Sequence, residues 1–146
     1  MTVRALMTAR PHLVSIGPDD TTRRAVRLLM RHEIGALPVV DEARRPLGLV
    51  AERDVVRGLD EHGEGVLAMA VRRIMRQPPP VCHADDHVGD IMARMTRERV
   101  RHYLVRDGEE LVGVLSVGDL LKNRLQQLET ETGVLRDYVA GQRGRF

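Results

Sequence analysis

The chain has 146 residues, 42% hydrophobic and 30% charged, a composition typical of a globular protein and unlike that of a disordered segment. Its 23 basic and 21 acidic residues leave a formal net charge of +2. Their signs alternate along the chain and aromatic residues make up 2%, so neither a basic block nor a base-stacking surface marks nucleic acid as an expected partner.

The first half of the chain predicts a β-α-β-β-α order. Its elements are a leading strand or turn at residues 3–7, a strand at 13–16, a helix, strands at 36–40 and 47–51, and a second helix beginning near Glu52. The first helix follows Asp19 and Asp20, short polar residues that favour a turn and a helix N-terminus. An apolar stripe at helical spacing supports it, formed by Thr22, Ala25, Val26 and Leu29.

The second half of the chain predicts the same order again. Its elements are a leading segment at 71–75, a strand at 81–83, a helix, strands at 102–106 and 111–115, and a helix beginning near Val117. The apolar stripe of the first of these helices is Val88, Ile91, Met92 and Met95. Between the halves, residues 62–65 contain two glycines and little that packs, and prolines at 78–80 favour an extended chain.

The two halves are copies of one unit. Segments beginning at residues 3, 18, 37 and 48 match segments beginning at 71, 84, 103 and 113, in the same order. A unit of about 60 residues is only marginally stable alone. We therefore expect an α+β fold in which two units, residues 1–62 and 66–125, pack sheet to sheet with pseudo-two-fold symmetry. Residues 126–146 are expected to form a C-terminal helical tail.

One heptad occurs at the junction of the last strand and last helix of each unit. It reads Gly113-Val-Leu-Ser-Val-Gly-Asp119 in the second unit and Gly48-Leu-Val-Ala-Glu-Arg-Asp54 in the first, where Ala51 replaces the hydroxyl. With this repeated heptad, residues 3–125 resemble the cystathionine-β-synthase-type (CBS) domain pair, or Bateman module. The resemblance implies a regulatory module that binds AMP, ADP or ATP, or else NAD or S-adenosylmethionine. The ligand would lie in the cleft between its two repeats, which are the first unit (repeat one) and the second unit (repeat two).

The heptad of repeat two has the chemistry to bind a nucleotide. Ser116 lies where a helix N-terminus offers unpaired amides to a phosphate, and Asp119 can accept hydrogen bonds from two ribose hydroxyls. Gly113 would let a ligand approach the backbone closely. The alternative is a capping box, in which Ser116 and Asp119 bond to each other's backbone amides without a ligand.

The heptad of repeat one departs from this pattern. Ala51 neither caps the helix nor contacts a phosphate, although Asp54 can still hold a ribose. Arg53 is expected either to replace the lost contact by charge or to be an ordinary solvated side chain. We therefore expect the principal site in repeat two.

Two basic residues open a strand of repeat two. Arg101 and His102 stand where repeat one has Gly35 and Ala36. The resemblance to the regulatory subunits of AMP-activated kinases implies that basic residues here face phosphates, and the planar guanidinium of arginine suits phosphate oxygens. The alternative is a run of surface arginines. The small residues Gly35 and Ala36 would leave room for a base. The aliphatic residues that could sandwich that base, with core packing as the alternative for each, are Val14, Val81 and Leu37.

The tail predicts self-association. A heptad stripe runs through Leu121, Leu125, Leu128, Thr132, Leu135 and Val139. It is expected to lie either on the chain's own repeats or against a second chain, and we expect a homodimer. Gly133 weakens the prediction of one unbroken helix.

Catalytic and metal-binding motifs are not found. The sequence contains no Walker-type phosphate loop, dinucleotide-binding glycine motif or nucleophile elbow, and Cys82, His83 and His87 do not complete a zinc ligand set. We expect no enzyme activity and no metal, but a module that signals nucleotide occupancy to an unidentified partner protein. The alternative is a ligand-free structural or adaptor protein acting through dimerisation.

The sequence also predicts where the protein resides. The longest apolar run, residues 66–71, is far shorter than the roughly 20 residues that span a bilayer. No secretory signal is seen at the start, and a single cysteine suits a reducing compartment. We therefore expect a cytoplasmic protein without a membrane partner.

Overall fold

A computed structural model describes residues 1–7 and 13–131. In chain order they form α1 (Val3–Leu6), α2 (Thr22–His32), β1 (Ala36–Val40), β2 (Pro46–Ala51), α3 (Glu52–His62), 3-10 turns at Gly63–Ala68 and Val71–Arg73, β3 (Val81–His83), α4 (Val88–Glu98), β4 (His102–Asp107), β5 (Glu110–Ser116) and α5 (Val117–Glu131). The predicted α+β architecture of two repeats with a helix after the second is confirmed.

Each repeat has an antiparallel strand pair in the same register. β1 pairs with β2, with Ala36 opposite Ala51, and β4 pairs with β5, with His102 opposite Ser116. A buried cluster of Ala36, Leu49 and Leu104 joins the two sheets. The heptads at the ends of β2 and β5 therefore occupy equivalent positions in the two repeats.

The first strand of the repeat forms fully only in repeat two. β3 pairs in parallel with β4, and the amide of Ala84 extends the pairing by donating to Arg106 O at 2.8 Å. In repeat one, the strand predicted at residues 13–16 is reduced to one bridge between Ile16 and Val39. The strand prediction was wrong because Pro38, which stands where Leu104 donates its amide to Pro80 O in repeat two, has no amide to donate, and neither does Pro18, which stands where repeat two has Ala84.

The two acidic turns position the helices without capping them directly. Asp20 accepts a hydrogen bond from the amide of Gly17 at 2.9 Å, and Asp86 accepts one from that of His83 at 2.8 Å. The side chain that caps α2 is Thr21, which accepts from the amide of Arg24 at 3.2 Å. These aspartates are therefore turn residues, as predicted, but the capping role also expected of them belongs to the next residue of each turn, Thr21 or His87.

The leading segments exchange partners between the repeats. Residues 3–7, predicted as a strand or turn, form a helical turn whose Val3 is fully buried in the core of repeat two. The amide of Val3 donates to Asp86 O at 2.9 Å. Conversely, Val71 is buried in the core of repeat one, and its amide donates to Asp20 O at 2.8 Å. Each repeat is thus completed by the segment that leads the other.

The glycines that begin the two heptads make room for these segments. A Cβ on Gly48 would lie 2.6 Å from Met75 Sδ and 2.8 Å from Arg76 O. Gly113 similarly lies against the terminal methyl of Met7. The open face expected at Gly113 is therefore occupied by a side chain of the protein itself, because the exchanged segment runs along β5.

The part of α5 that the structure describes carries three leucines of the predicted stripe. Leu121, Leu125 and Leu128 are 54%, 58% and 41% exposed, so this part of the stripe does not pack on the chain's own repeats. Thr132, Leu135 and Val139 lie outside the described residues. Within residues 1–7 and 13–131, no helix has both the length and the apolar character needed to cross a lipid bilayer.

Candidate functional site

A cavity of about 590 Å³ opens between the two repeats. Repeat one contributes Gly35 before β1, the end of β2 and the first turns of α3. Repeat two contributes the segment before β3, the residues that follow α4 and the start of β4. Four sequence-predicted site residues come together in its lining, namely Arg53, Asp54, Arg101 and His102. The volume is in the range of small-molecule sites in proteins.

The carboxylate of Asp54 is held at the N-terminus of α3. The side chain is buried, with 8% of the residue exposed. Its Oδ2 accepts from the amide of Ala51 at 2.7 Å, and its Oδ1 accepts from the guanidinium of Arg57 at 2.7 Å. Arg57 also donates to Ile74 O at 3.3 Å. These bonds fix the carboxylate at the cavity wall, although a carboxylate has about four acceptor positions and can accept more.

His102 occupies space that the sequence assigned to a base. A Cβ on Gly35 would lie 2.9 Å from His102 Nε2, so the absence of a side chain at Gly35 accommodates the imidazole of the other repeat. Burial lowers the pKa of His102, and the nearby carboxylates of Glu52 and Asp119 only partly oppose this effect. His102 is therefore neutral at pH 7, when it can donate from one ring nitrogen and accept at the other.

Five arginines line the same cavity. They are Arg53, Arg57, Arg76, Arg99 and Arg101. Two carboxylates, those of Glu52 and Asp54, oppose them, so with neutral His102 the lining has a formal charge of +3. An apolar wall of Leu49, Val56, Pro80 and Val100 completes it. The cavity can thus hold an anion beside an apolar group.

Ser116 and Asp119 form the capping box considered as the alternative. Asp119 Oδ2 accepts from the amide and the hydroxyl of Ser116 at 3.0 and 2.9 Å, and Ser116 Oγ accepts from the amide of Asp119 at 3.1 Å. The amide of Val117 donates to Arg101 O at 2.9 Å. These amides are engaged within the protein, and neither Ser116 nor Asp119 lines the cavity described above.

The remaining predicted residues also lie away from this cavity. Ala36 and Val81 pack between the sheets, Val14 packs against the core of repeat one, and Gly113 contacts Met7. No group of three or more histidine, cysteine, aspartate or glutamate residues capable of holding a metal ion occurs within residues 1–7 and 13–131.

Sequence reasoning missed three of the arginines. Arg57 stands three residues after Asp54, a helical spacing that signals an ion pair. Arg76 and Arg99 gave no such signal. Arg76 lies in the exchanged leading segment, and it reaches the cavity because its backbone pairs with that of Leu49 in β2. Arg99 reaches it through the turn that ends α4.

Comparison with known proteins identifies the family. The family model described as CBS domain matches residues 3–61 and 71–126. The chain belongs to the CBS domain family. A crystal structure of the CBS-domain protein ATU1752 from Agrobacterium tumefaciens is similar with a TM-score of 0.80 and 31% identity, over 84% of this chain and 92% of that one.

Two further CBS proteins are similar over most of this chain. The structure of CBSX2 in complex with AMP matches with a TM-score of 0.73 and 25% identity, over 86% of this chain and 96% of that one. The mitochondrial CBS domain-containing protein CBSX3 of Arabidopsis thaliana is 29% identical over 127 residues, which are 84% of this chain. The chain spans 62% of the length of CBSX3, and less than two thirds of the length of several other curated relatives.

Proposed function

We propose that this CBS-domain protein is a regulatory module that binds an adenosine nucleotide between its repeats and signals occupancy to a partner protein. The observation that carries the proposal is the inter-repeat cavity, where a fixed carboxylate, five arginines and an apolar wall come together. The similar protein CBSX2, crystallised in complex with AMP, supports the same ligand class.

The proposed roles follow from the chemistry of the lining. Asp54 accepts hydrogen bonds from the ribose hydroxyls, because its carboxylate retains acceptor capacity beside its bonds to Ala51 and Arg57. Arg53 and Arg101 bind phosphate oxygens. The adenine ring lies against the apolar wall. The proposal thus assigns the main ribose contact to repeat one, and Ser116 and Asp119 to an equivalent site in repeat two.

A nucleotide panel tests the proposal. We expect isothermal titration to show binding of ligands from the adenosine set, which comprises AMP, ADP, ATP, NAD and S-adenosylmethionine. GMP and CMP should bind at least about ten-fold more weakly than AMP, a difference of about 1.4 kcal/mol. The ligands that bind should also raise the melting temperature by mass action.

Two outcomes of the panel would contradict the proposal. Absence of binding by every adenosine ligand would favour the ligand-free adaptor. Equal affinity for GMP and AMP would show that the site does not select the adenine base. Mass spectrometry of the denatured purified protein gives an independent check, since a co-purified adenosine nucleotide is the expected result.

We also propose that the protein acts as a cytoplasmic homodimer. α5 exposes Leu121, Leu125 and Leu128, and α3, its counterpart in repeat one, exposes Val56 and Leu59. Val56 and Leu121 stand at equivalent positions of the two helices, and exposed apolar side chains on both helices suit a self-complementary interface with a second copy.

Light scattering on a double variant tests the dimer. We expect the wild type to be a dimer and Leu125→Asp with Leu128→Asp to be largely monomeric, because burying unpaired carboxylates is costly. The matched control is Gln126→Asp with Thr130→Asp, which adds the same charges to exposed positions of α5 outside the stripe. A monomeric wild type, or an unchanged dimer in the leucine variant, would refute the proposed interface.

A further inference from the structure

We propose that the cavity selects its ligand by charge, preferring adenosine nucleotides with two or three phosphates to AMP and rejecting S-adenosylmethionine, and that Arg99 is a specificity-determining phosphate contact. This inference rests on the proposed function, because it concerns the same site. It specifies which ligands of the adenosine set the cavity binds.

The first support is the concentration of positive charge. The lining has a formal charge of +3, with five arginines against Glu52 and Asp54, whereas the whole chain has a net charge of only +2. The rest of the protein is therefore slightly acidic in sum. A walled cleft with one sign of charge focuses its field on the ligand, so added phosphates are attracted and the sulfonium and ammonium of S-adenosylmethionine are repelled.

The second support is the number of guanidinium groups without an ionic partner. Arg57 is paired with Asp54 at 2.7 Å. Across the residues that the structure describes, Arg53, Arg76, Arg99 and Arg101 have no carboxylate within ion-pair distance. A single terminal phosphate group carries about two negative charges at pH 7, which two guanidinium groups neutralise. Four arginines therefore exceed what AMP can use, and further phosphates can engage the others.

The third support is the backbone at Arg99. This residue ends α4 in the left-handed conformation, with φ 54° and ψ 40°, where glycine is the usual residue. Glu33 ends α2 in the same conformation, with φ 52° and ψ 47°. The repeat thus requires the conformation in both copies but not an arginine. Arg99 lines the cavity and Glu33 does not, so the arginine serves the cavity rather than the turn.

Glycine substitutions at the two equivalent positions test the proposal. Affinities of the full chain for AMP, ADP, ATP and S-adenosylmethionine are measured by titration at constant ionic strength without Mg²⁺. We expect the wild type to bind ATP at least about ten-fold more tightly than AMP, with S-adenosylmethionine the weakest. Arg99→Gly should remove most of the ATP advantage while changing the AMP affinity less than about three-fold.

The controls separate binding from folding. Glu33→Gly relieves the same backbone conformation and should leave all four affinities unchanged. Both glycine variants should melt at or above the temperature of the wild type, because glycine adopts the left-handed conformation without strain. Arg99→Lys, which keeps the charge but not the planar fork, should retain part of the preference for ATP.

The outcomes distinguish this inference from the proposed function. Equal affinities for AMP and ATP in the wild type would overturn the charge selection and leave nucleotide binding intact. An undiminished ATP advantage in Arg99→Gly would overturn the role of Arg99. Absence of binding by all four compounds would overturn both the inference and the proposed function.

Discussion

Val3→Asp is expected to unfold the second repeat of this CBS pair, although residue 3 leads the first repeat in sequence. Val3 is fully buried in the core that contains Ile91, Tyr103 and Leu115. An aspartate there would be a buried carboxylate without a partner, and such a charge costs about 3 to 5 kcal/mol. That is a large fraction of the stability of a small domain.

Hydrogen exchange followed by mass spectrometry shows which repeat loses its folded structure. In Val3→Asp, we expect faster exchange in peptides from 81–120 than in those from 36–60. The control is Ala5→Asp, which places the same carboxylate on an exposed residue of α1 and should leave both regions protected. Faster exchange confined to residues 36–60 would contradict the exchange of leading segments.

Asp54→Ala is expected to lower the affinity for adenosine nucleotides by about 1.5 to 3 kcal/mol, the range for hydrogen bonds to a charged group. The carboxylate is the one buried acid of the cavity lining, and Arg57 fixes its orientation at 2.7 Å. Because the alanine also removes a helix-terminal hydrogen bond from the amide of Ala51, calorimetric affinity is measured beside the melting temperature.

Asp119→Ala is the matched control for the Asp54 variant. Asp119 makes the same bond to the strand-to-helix junction of repeat two, so its loss should cost about 0.5 to 2 kcal/mol of stability. Affinity at the cavity beside Asp54 should stay nearly unchanged, since Asp119 does not line it. Loss of binding in Asp119→Ala with retained binding in Asp54→Ala would place the principal site in repeat two.

Ser116→Ala distinguishes a capping role from a ligand-binding role in repeat two. The capping box predicts a stability loss of about 1 kcal/mol whether or not a nucleotide is present. If Ser116 instead contacts a phosphate, the variant should lose affinity for phosphorylated ligands and keep its affinity for adenosine.

The local sequence was sufficient to predict most of the elements and the family. Strand β1, the start of α3 and the start of α5 lie where the apolar periodicity and the turn residues put them. The repeated heptad identified the CBS pair, which the match to residues 3–61 and 71–126 confirms. These features depend on residues a few positions apart, whose side-chain spacing and hydrogen-bonding capacity are visible in the sequence.

Other features of the chain depend on contacts between residues far apart. The sequence determined two copies of one unit and the positions of α2 to α5 and of β1 to β5, and it offered the pairing of Ser116 with Asp119 as one of two alternatives. Only the tertiary structure decided that Val3 completes the second repeat and Val71 the first, because both have equivalent apolar patterns and fit equivalent cores. The same exchange brings Arg76 to the cavity beside Asp54. Which arginines line the cavity together therefore follows from long-range packing, which no local spacing encodes.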